Sequence, residues 1–237
     1  MAARALRTSA IRSIDYGEAF GTRRHRWITT ALYDLPFGHG RTFGQNWNSF
    51  LNAAVGGWRL SNIFLLQSGA FVTPYFRGGD PSGTGSGTID GRSQYPDTVS
   101  GVSSIPANQS ATQFVNPAAF TCRGISGWTP GTACNIGAGS GAPLPIGRFG
   151  NVRPGSVVGP GIVNLSTGLS KEFALTERFR LKAGASFTNI LNHLNLADDS
   201  DHFNLNIASA GFGQISAARA SDFGGNRSGQ VFLRLDF

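Results

Sequence analysis

Two cysteines, four histidines and one short acidic run are the side chains in this 237-residue sequence whose types could do chemistry. Cys122 and Cys134 share a stretch rich in Gly, Ser and Thr. In an oxidising exterior they would close a disulfide worth roughly 2 to 3 kcal/mol by the loop-entropy argument; in a reducing compartment they would stay as two thiols. Asp198, Asp199 and Asp201, with Asn204, offer oxygen ligands of the kind a Ca²⁺ ion takes. They lack the fixed spacing and the bidentate Glu of an EF-hand, so a solvated acidic turn is the competing reading. His25, His39, His193 and His202 are scattered, and no Ser or Cys nucleophile stands in a recognisable elbow. No Cys and His spacing fits zinc. The Gly-rich runs at 78–87 and 137–141 follow no strand and precede no helix or Lys, so they are not phosphate cradles. The expectation is therefore no catalytic residue, no metal and no cofactor.

The elements that would position these residues are strands. Gly counts 33 and Phe 18, charged residues make up only 14%, and Met and Lys are scarce, a mixture poor in helix formers and rich in turn formers and aromatics. The clearest period-two segment is Arg227 to Phe237. Val231, Leu233, Leu235 and Phe237 fall on one face and Gln230, Arg234 and Asp236 on the other, with Phe232 as the exception. Val163, Leu165, Leu169 and Phe173 alternate in the same way with Asn164, Ser166, Ser170 and Glu172. After a turn at 174–177, Phe179, Leu181, Ala183, Ala185 and Phe187 alternate with Arg178, Arg180, Lys182, Ser186 and Thr188. Two earlier segments, 25–35 and 58–68, read as strands with less cleanly divided faces, Ile63 and Leu65 intruding on the polar side of the second. Asn48 to Val55 reads as a helical turn stopped by Gly56 and Gly57.

Residues 69–161 and 190–226 show no period beyond a short β extension at 212–219. Connections of that length without structure argue against a compact domain. Outer-membrane barrels are an exception, because they carry short turns at one rim and long loops at the other. Here the connections after the first and third strands are short and those after the second and fourth are long, so each kind collects at one end. No run of about 18 apolar residues is present to form a spanning helix, but barrel strands of about 9 to 11 residues alternate instead. The net charge of +7 comes from 20 basic and 13 acidic residues. Outside a cluster of Arg4, Arg7, Arg12, Arg23, Arg24 and Arg26 the basic residues are scattered, not striped with aromatics, so nucleic acid is not an expected partner. Met1 to Arg12 lacks the apolar stretch of a secretory signal. An exported protein with this sequence is expected to have its true N-terminus upstream.

Several short motifs follow one another along the chain: Arg24-His-Arg-Trp27, Tyr33-Asp-Leu-Pro-Phe-Gly38, Gly56-Gly-Trp-Arg-Leu-Ser61 and Gln67-Ser-Gly69. They continue with Phe114-Val-Asn-Pro-Ala-Ala-Phe120, Arg148-Phe-Gly-Asn-Val-Arg153, Gly159-Pro-Gly161, Phe187-Thr-Asn-Ile-Leu-Asn-His193 and Phe212-Gly-Gln-Ile215. With the aromatic-ending last strand, this series resembles the C-terminal third of TonB-dependent outer-membrane receptors of the Oar-like type. The resemblance implies an all-β fold: an antiparallel transmembrane β-barrel segment of about five C-terminal strands from a 22-stranded barrel. It makes 24–237 that barrel portion, 69–161 and 190–226 two long extracellular loops, and 1–23 an N-terminal segment without definition of its own.

The same resemblance implies the C-terminal segment of a transporter for energy-coupled nutrient uptake in the bacterial outer membrane, and not an enzyme. Its partners would be outer-membrane lipid, the barrel-assembly machinery and an unknown small-molecule substrate. They would also include the remaining strands and plug of the full-length receptor and, through that plug, the TonB energy complex. Val231, Leu233, Leu235 and Phe237 would carry the signal that the assembly machinery reads, and Trp27, Tyr33, Trp58, Phe173 and Phe187 would form an interfacial girdle. The regulatory-like domain, the plug and most strands of the family are absent from this sequence, and five strands alone cannot close a barrel. A truncated receptor is therefore expected. The rival reading is a soluble or secreted β-sandwich binding module with long recognition loops.

Overall fold

Alternation of apolar and polar side chains produces five strands that pair in a single antiparallel sheet. They are β1 (Arg26–Asp34), β2 (Trp58–Gln67), β7 (Ile162–Ala174), β8 (Arg180–Thr188) and β9 (Ser228–Asp236), in the order β1-β2-β7-β8-β9. The computed structural model describes residues 13, 15–75, 77–83, 94–122, 125, 127–134, 136, 145–220 and 224–237. Arg4, Arg7 and Arg12, residues 84–87 of the glycine run at 78–87 and all of that at 137–141 lie outside the described residues. Strands of nine to thirteen residues match what a tilted barrel strand needs to cross a hydrocarbon layer. Among the described residues no strand pairs with the outer edge of β1 or of β9, so the sheet is open.

The register decides which side chains share a face. Tyr33, Leu60, Leu169, Ala185 and Val231 are consecutive partners across all five strands and form one row. Stepping by two along each strand adds Trp27, Phe64, Leu66, Val163, Leu165, Phe173, Leu181, Ala183, Phe187, Leu233 and Leu235 to the same apolar face. Much of this face is open, with Val231 84% and Leu233 72% exposed. The opposite face carries Ser61, Ser166, Ser170, Glu172, Arg180, Lys182, Gln230 and Arg234, with an apolar corner at Ile28, Leu32, Ile63 and Leu65. Phe232, the misfit of the sequence pattern, pairs with Gly184 on the polar face. A Cβ there would come 2.6 Å from Cζ of the ring, so the ring lies over the glycine. Phe187 covers Gly229 in the same way on the apolar face. Such rings shield a strand position that has no side chain of its own.

Two connections leave one end of the sheet. The β7–β8 hairpin closes at 175–179, slightly later than the sequence suggests, with the Leu175 amide donating to the Phe179 carbonyl at 2.9 Å. The β1–β2 connection contains α1 (Ser49–Val55). Asn48 caps α1 by accepting from the Leu51 amide at 2.8 Å, and Gly57, at φ +72°, turns the chain into β2. Asp34 and Arg59 pair across the base of this connection. The connections at 68–161 and 189–227 leave the other end.

Most of the two long connections belongs to a second compact unit, formed by residues 1–24, 69–160 and 196–217. The sheet unit comprises 25–68, 161–195 and 218–237. The two long connections, which show no period in the sequence, thus carry a core of their own. The connection unit holds a core of Val72, Phe114, Val115, Phe120, Ile136, Val152, Phe203, Ile207, Phe212 and neighbours. Phe114 meets Phe203 and Phe120 meets Phe212 edge to face, at 5.4 and 5.6 Å. Its strands are two-residue pieces, β3 (Phe71–Val72) with β6 (Val157–Val158) and β4 (Asp97–Thr98) with β5 (Phe120–Thr121). Strands that short carry no readable period. The expected β extension at 212–219 is reduced to short pieces: Phe203 bridges Ile215, the Ala197 amide donates to the Ala217 carbonyl at 3.0 Å and the Arg219 amide to the Asn195 carbonyl at 2.9 Å. Its working residue is Gly213, at φ +79°, whose carbonyl accepts from the Phe114 and Val115 amides. A Cβ at Gly213 would lie 2.7 Å from the Val115 carbonyl oxygen, so the 114–120 and 212–215 motifs dock through a residue that must be glycine.

Candidate functional site

The connection unit contains a cleft of about 260 Å³ lined by Phe20, Tyr75, Tyr95, Phe203, Thr73, Ser200, Asp198 and Asp199 among others. The chain segments that build it are fixed from several sides. Tyr75 is held by its amide on the Leu205 carbonyl, at 3.0 Å, and by the Ile207 amide on its own carbonyl, at 2.9 Å. Phe203 is anchored by its edge-to-face contact with Phe114. Asp198 forms an ion pair with Arg23, both side chains mostly buried. Asp199 accepts from the Asp201 amide at 3.0 Å and the His202 amide at 3.1 Å, and faces His202 Nδ1 at 2.8 Å. Burial alone would raise the Asp199 carboxyl; the bonds from His202 and Asp201 outweigh it and hold the group below its ordinary value. The cleft thus presents aromatic walls, the hydroxyl-bearing Thr73, Ser200, Tyr75 and Tyr95, one carboxylate paired with Arg23 and one held by His202 and two backbone amides.

A second constellation holds the floor of the same unit together. Asp97, almost fully buried, accepts from Nη1 and Nη2 of Arg148, at 3.0 and 2.7 Å, and from the Asn151 amide at 3.0 Å. Asn151 in turn accepts from the Thr98 amide and hydroxyl, at 2.7 and 3.1 Å. Hydrogen bonding to Asp97 raises the Arg148 guanidinium above its ordinary value. Gly150 packs directly on the Tyr95 and Pro96 carbonyls, leaving no room for a Cβ. The 148–153 motif is therefore a clasp on β4. Cys122 and Cys134 are joined as a disulfide, and both are buried in the core.

The sheet unit has a matching clip at the end where the long connections leave. Asn189, fully buried and at φ +49°, donates to the His193 and Gly225 carbonyls at 2.8 and 2.6 Å and accepts from the His193 amide at 3.0 Å. Asn195 bonds both backbone groups of Val163 and the Gly224 carbonyl. The motif at 187–193 is thus a backbone fastening between β7, β8 and the start of β9.

The structure separates most of the chemistry-bearing residues picked out in the sequence. Asp198 and Asp199 turn to different basic partners, and among the described residues no group of three His, Cys, Asp or Glu side chains converges as a metal site. His39 bonds the Trp47 carbonyl at 2.7 Å and His193 sits 3.2 Å from Asn195, so these two and His202 serve separate local turns. Val231, Leu233 and Leu235 stand in the apolar row of β9 with Phe237 beyond it, all exposed. Arg180 pairs with Glu172, and Arg234 with Asp236. Asp97, Arg148, Asn189 and Asn195 carry no chemical signature in the sequence, although three of them lie in or beside short motifs rich in Asn, Gly and Arg.

An antiparallel sheet whose strands suit a bilayer, with one exposed apolar face and one polar face, has the pattern of part of a transmembrane β-barrel wall. In agreement, the family model described as "Outer membrane beta barrel domain" matches residues 5–230, and the chain belongs to that family. Its location is the bacterial outer membrane. No curated protein and no solved structure gives a match.

Proposed function

We propose that this chain is the C-terminal barrel portion of an Oar-like TonB-dependent receptor that takes up a small-molecule nutrient across the outer membrane. The observation that carries the reading is the folding of the two long connections into a cored, disulfide-closed unit with a cleft of its own. Loops that only joined strands would need no such core; loops that capture a substrate do. The open edges of β1 and β9 accept the remaining strands of a 22-stranded barrel, since an edge left unpaired in lipid costs several kcal/mol per polar group. In this reading the long-connection end faces outward and the short-connection end faces the periplasm. A plug in the full-length receptor closes the lumen, and the TonB energy complex acts on that plug. The apolar sheet face meets lipid, and the row of Val231, Leu233, Leu235 and Phe237 is what the barrel-assembly machinery engages. The protein performs no catalysis and carries no cofactor. Aromatic walls with hydroxyls, beside carboxylates already engaged by Arg23, His202 and backbone amides, suit an uncharged, hydroxyl-bearing substrate better than an ion.

The test is uptake in the source bacterium. Medium depletion is profiled for the wild type, a deletion of this protein and a deletion of the TonB energy complex. A compound that persists in both deletions supports the proposal. A compound that persists without the protein but is consumed normally without the energy complex would identify a passive pore and overturn it.

A further inference from the structure

Helix α1 is ordered, apolar and open to its surroundings at once. Of its seven residues Phe50, Leu51, Ala53, Ala54 and Val55 are apolar, none is buried, and Phe50 is 83% exposed. A helix this short does not persist in water through its own propensity. Here it is tethered: Asn48 caps its start, the Trp58 indole N–H donates to the Ala54 carbonyl at 2.9 Å, and Lys171 Nζ donates to the Asn52 and Ala53 carbonyls at 3.0 and 2.6 Å.

The two tethers from the sheet locate the helix. Trp58 and Lys171 are register partners, in one row with Ala183 and Leu233. They therefore project from the apolar face, and α1 is bound on the side of the sheet that carries Tyr33, Leu60, Leu169 and Val231. This also accounts for the one lysine on that face. Its ammonium is covered by the helix C-terminus, whose last carbonyls need donors, and Lys171 is only 7% exposed.

We infer that α1 is an interfacial anchor that lies in the phospholipid headgroup region of the leaflet on the short-connection side, with Phe50, Leu51 and Val55 dipping toward the acyl chains. The inference rests on the proposed lipid-facing side of the sheet and extends it. The helix continues that apolar face beyond the last strand residues, and a lipid interface is the medium in which exposed Phe, Leu and Val beside Trp47 and Trp58 are at home. Ordering such a segment against water would expose apolar surface to no purpose.

The experiment uses the full-length protein, with its disulfide intact, reconstituted in phosphatidylethanolamine–phosphatidylglycerol vesicles. Single cysteines at Phe50→Cys, Leu169→Cys and Ser186→Cys carry an environment-sensitive fluorophore, and nitroxide lipids spin-labelled at the headgroup or mid-chain serve as quenchers. The label at position 50 is expected to shift to the blue and lose most of its emission to the headgroup nitroxide. The label at 169 should lose most of its emission to the mid-chain nitroxide, and the label at 186 to neither. Val55→Cys gives the same readout as Phe50→Cys if the latter does not assemble. Quenching at 169 without quenching at 50 or 55 overturns the anchor and leaves the barrel reading intact. No quenching at 169 overturns the lipid-facing assignment itself.

Discussion

Arg148→Met tests the clasp on β4. The substitution keeps most of the apolar stem but removes the guanidinium, leaving Asp97, with a side chain 6% exposed, bonded by the Asn151 amide where three donor contacts had stood. Breaking a fully buried ion pair costs about 3 to 5 kcal/mol. Arg148 is 39% exposed at its side chain, so water already screens part of the pair and the lower range for charge-assisted hydrogen bonds applies, about 2 kcal/mol. At about 1.4 kcal/mol per tenfold change, that raises the open population of this corner roughly 30-fold. Hydrogen-exchange mass spectrometry of the outer-membrane protein reads it at the Thr98 and Val152 amides, which bond the Asn151 side chain and the Pro96 carbonyl. Asp97→Asn should act similarly, and the double substitution should cost clearly less than the two singles together, because the partners fail as a unit. Exchange at both amides within about threefold of the parent, or strictly additive costs, would refute the clasp.

Three further outcomes follow from the packing. Reducing the Cys122–Cys134 bond, with its separation of 12, should weaken the connection unit by about 3 kcal/mol, seen as faster proteolysis within 94–160; equal cleavage with and without reductant counts against it. Gly184→Ala sets a Cβ 2.6 Å from the Phe232 ring and 2.7 Å from the Leu169 carbonyl oxygen. The ring can swing aside but the backbone cannot, so the assembled protein should lose about 1 to 3 kcal/mol, read as a lower unfolding temperature in heat-modifiability gels. Asn189→Ala leaves the His193 and Gly225 groups without their buried partner and strains a left-handed residue, at a cost of about 2 to 3 kcal/mol. Peptides covering 189–195 should then exchange faster, and unchanged protection there would remove the fastening role.

The two units differ in how far they can be read from the sequence because they are held together by different physics. In the sheet, each strand repeats one instruction every second residue, so the positions of β2, β7, β8 and β9 and even the face of Val231 and Leu233 are local properties. The misfits become intelligible only with partners in view. Phe232 stands on the polar face because Gly184 lies opposite it, and Lys171 stands on the apolar face because α1 ends above it. Neither partner is near in sequence.

In the connection unit nothing repeats. Phe114 is matched to Phe203 and Phe120 to Phe212, Asp97 to Arg148, and Gly213 to Val115, each across a long stretch of chain. The glycines that look like filler are partly the places where one backbone passes against another, as Gly150 does against Tyr95 and Pro96. Low periodicity there reflects contacts of high sequence separation rather than lack of structure. The short motifs at 114–120, 148–153 and 187–193 are their visible trace. Each is a fastening: Asp97 is tied to Arg148 and the Asn151 amide, and Asn189 to the His193 and Gly225 backbone.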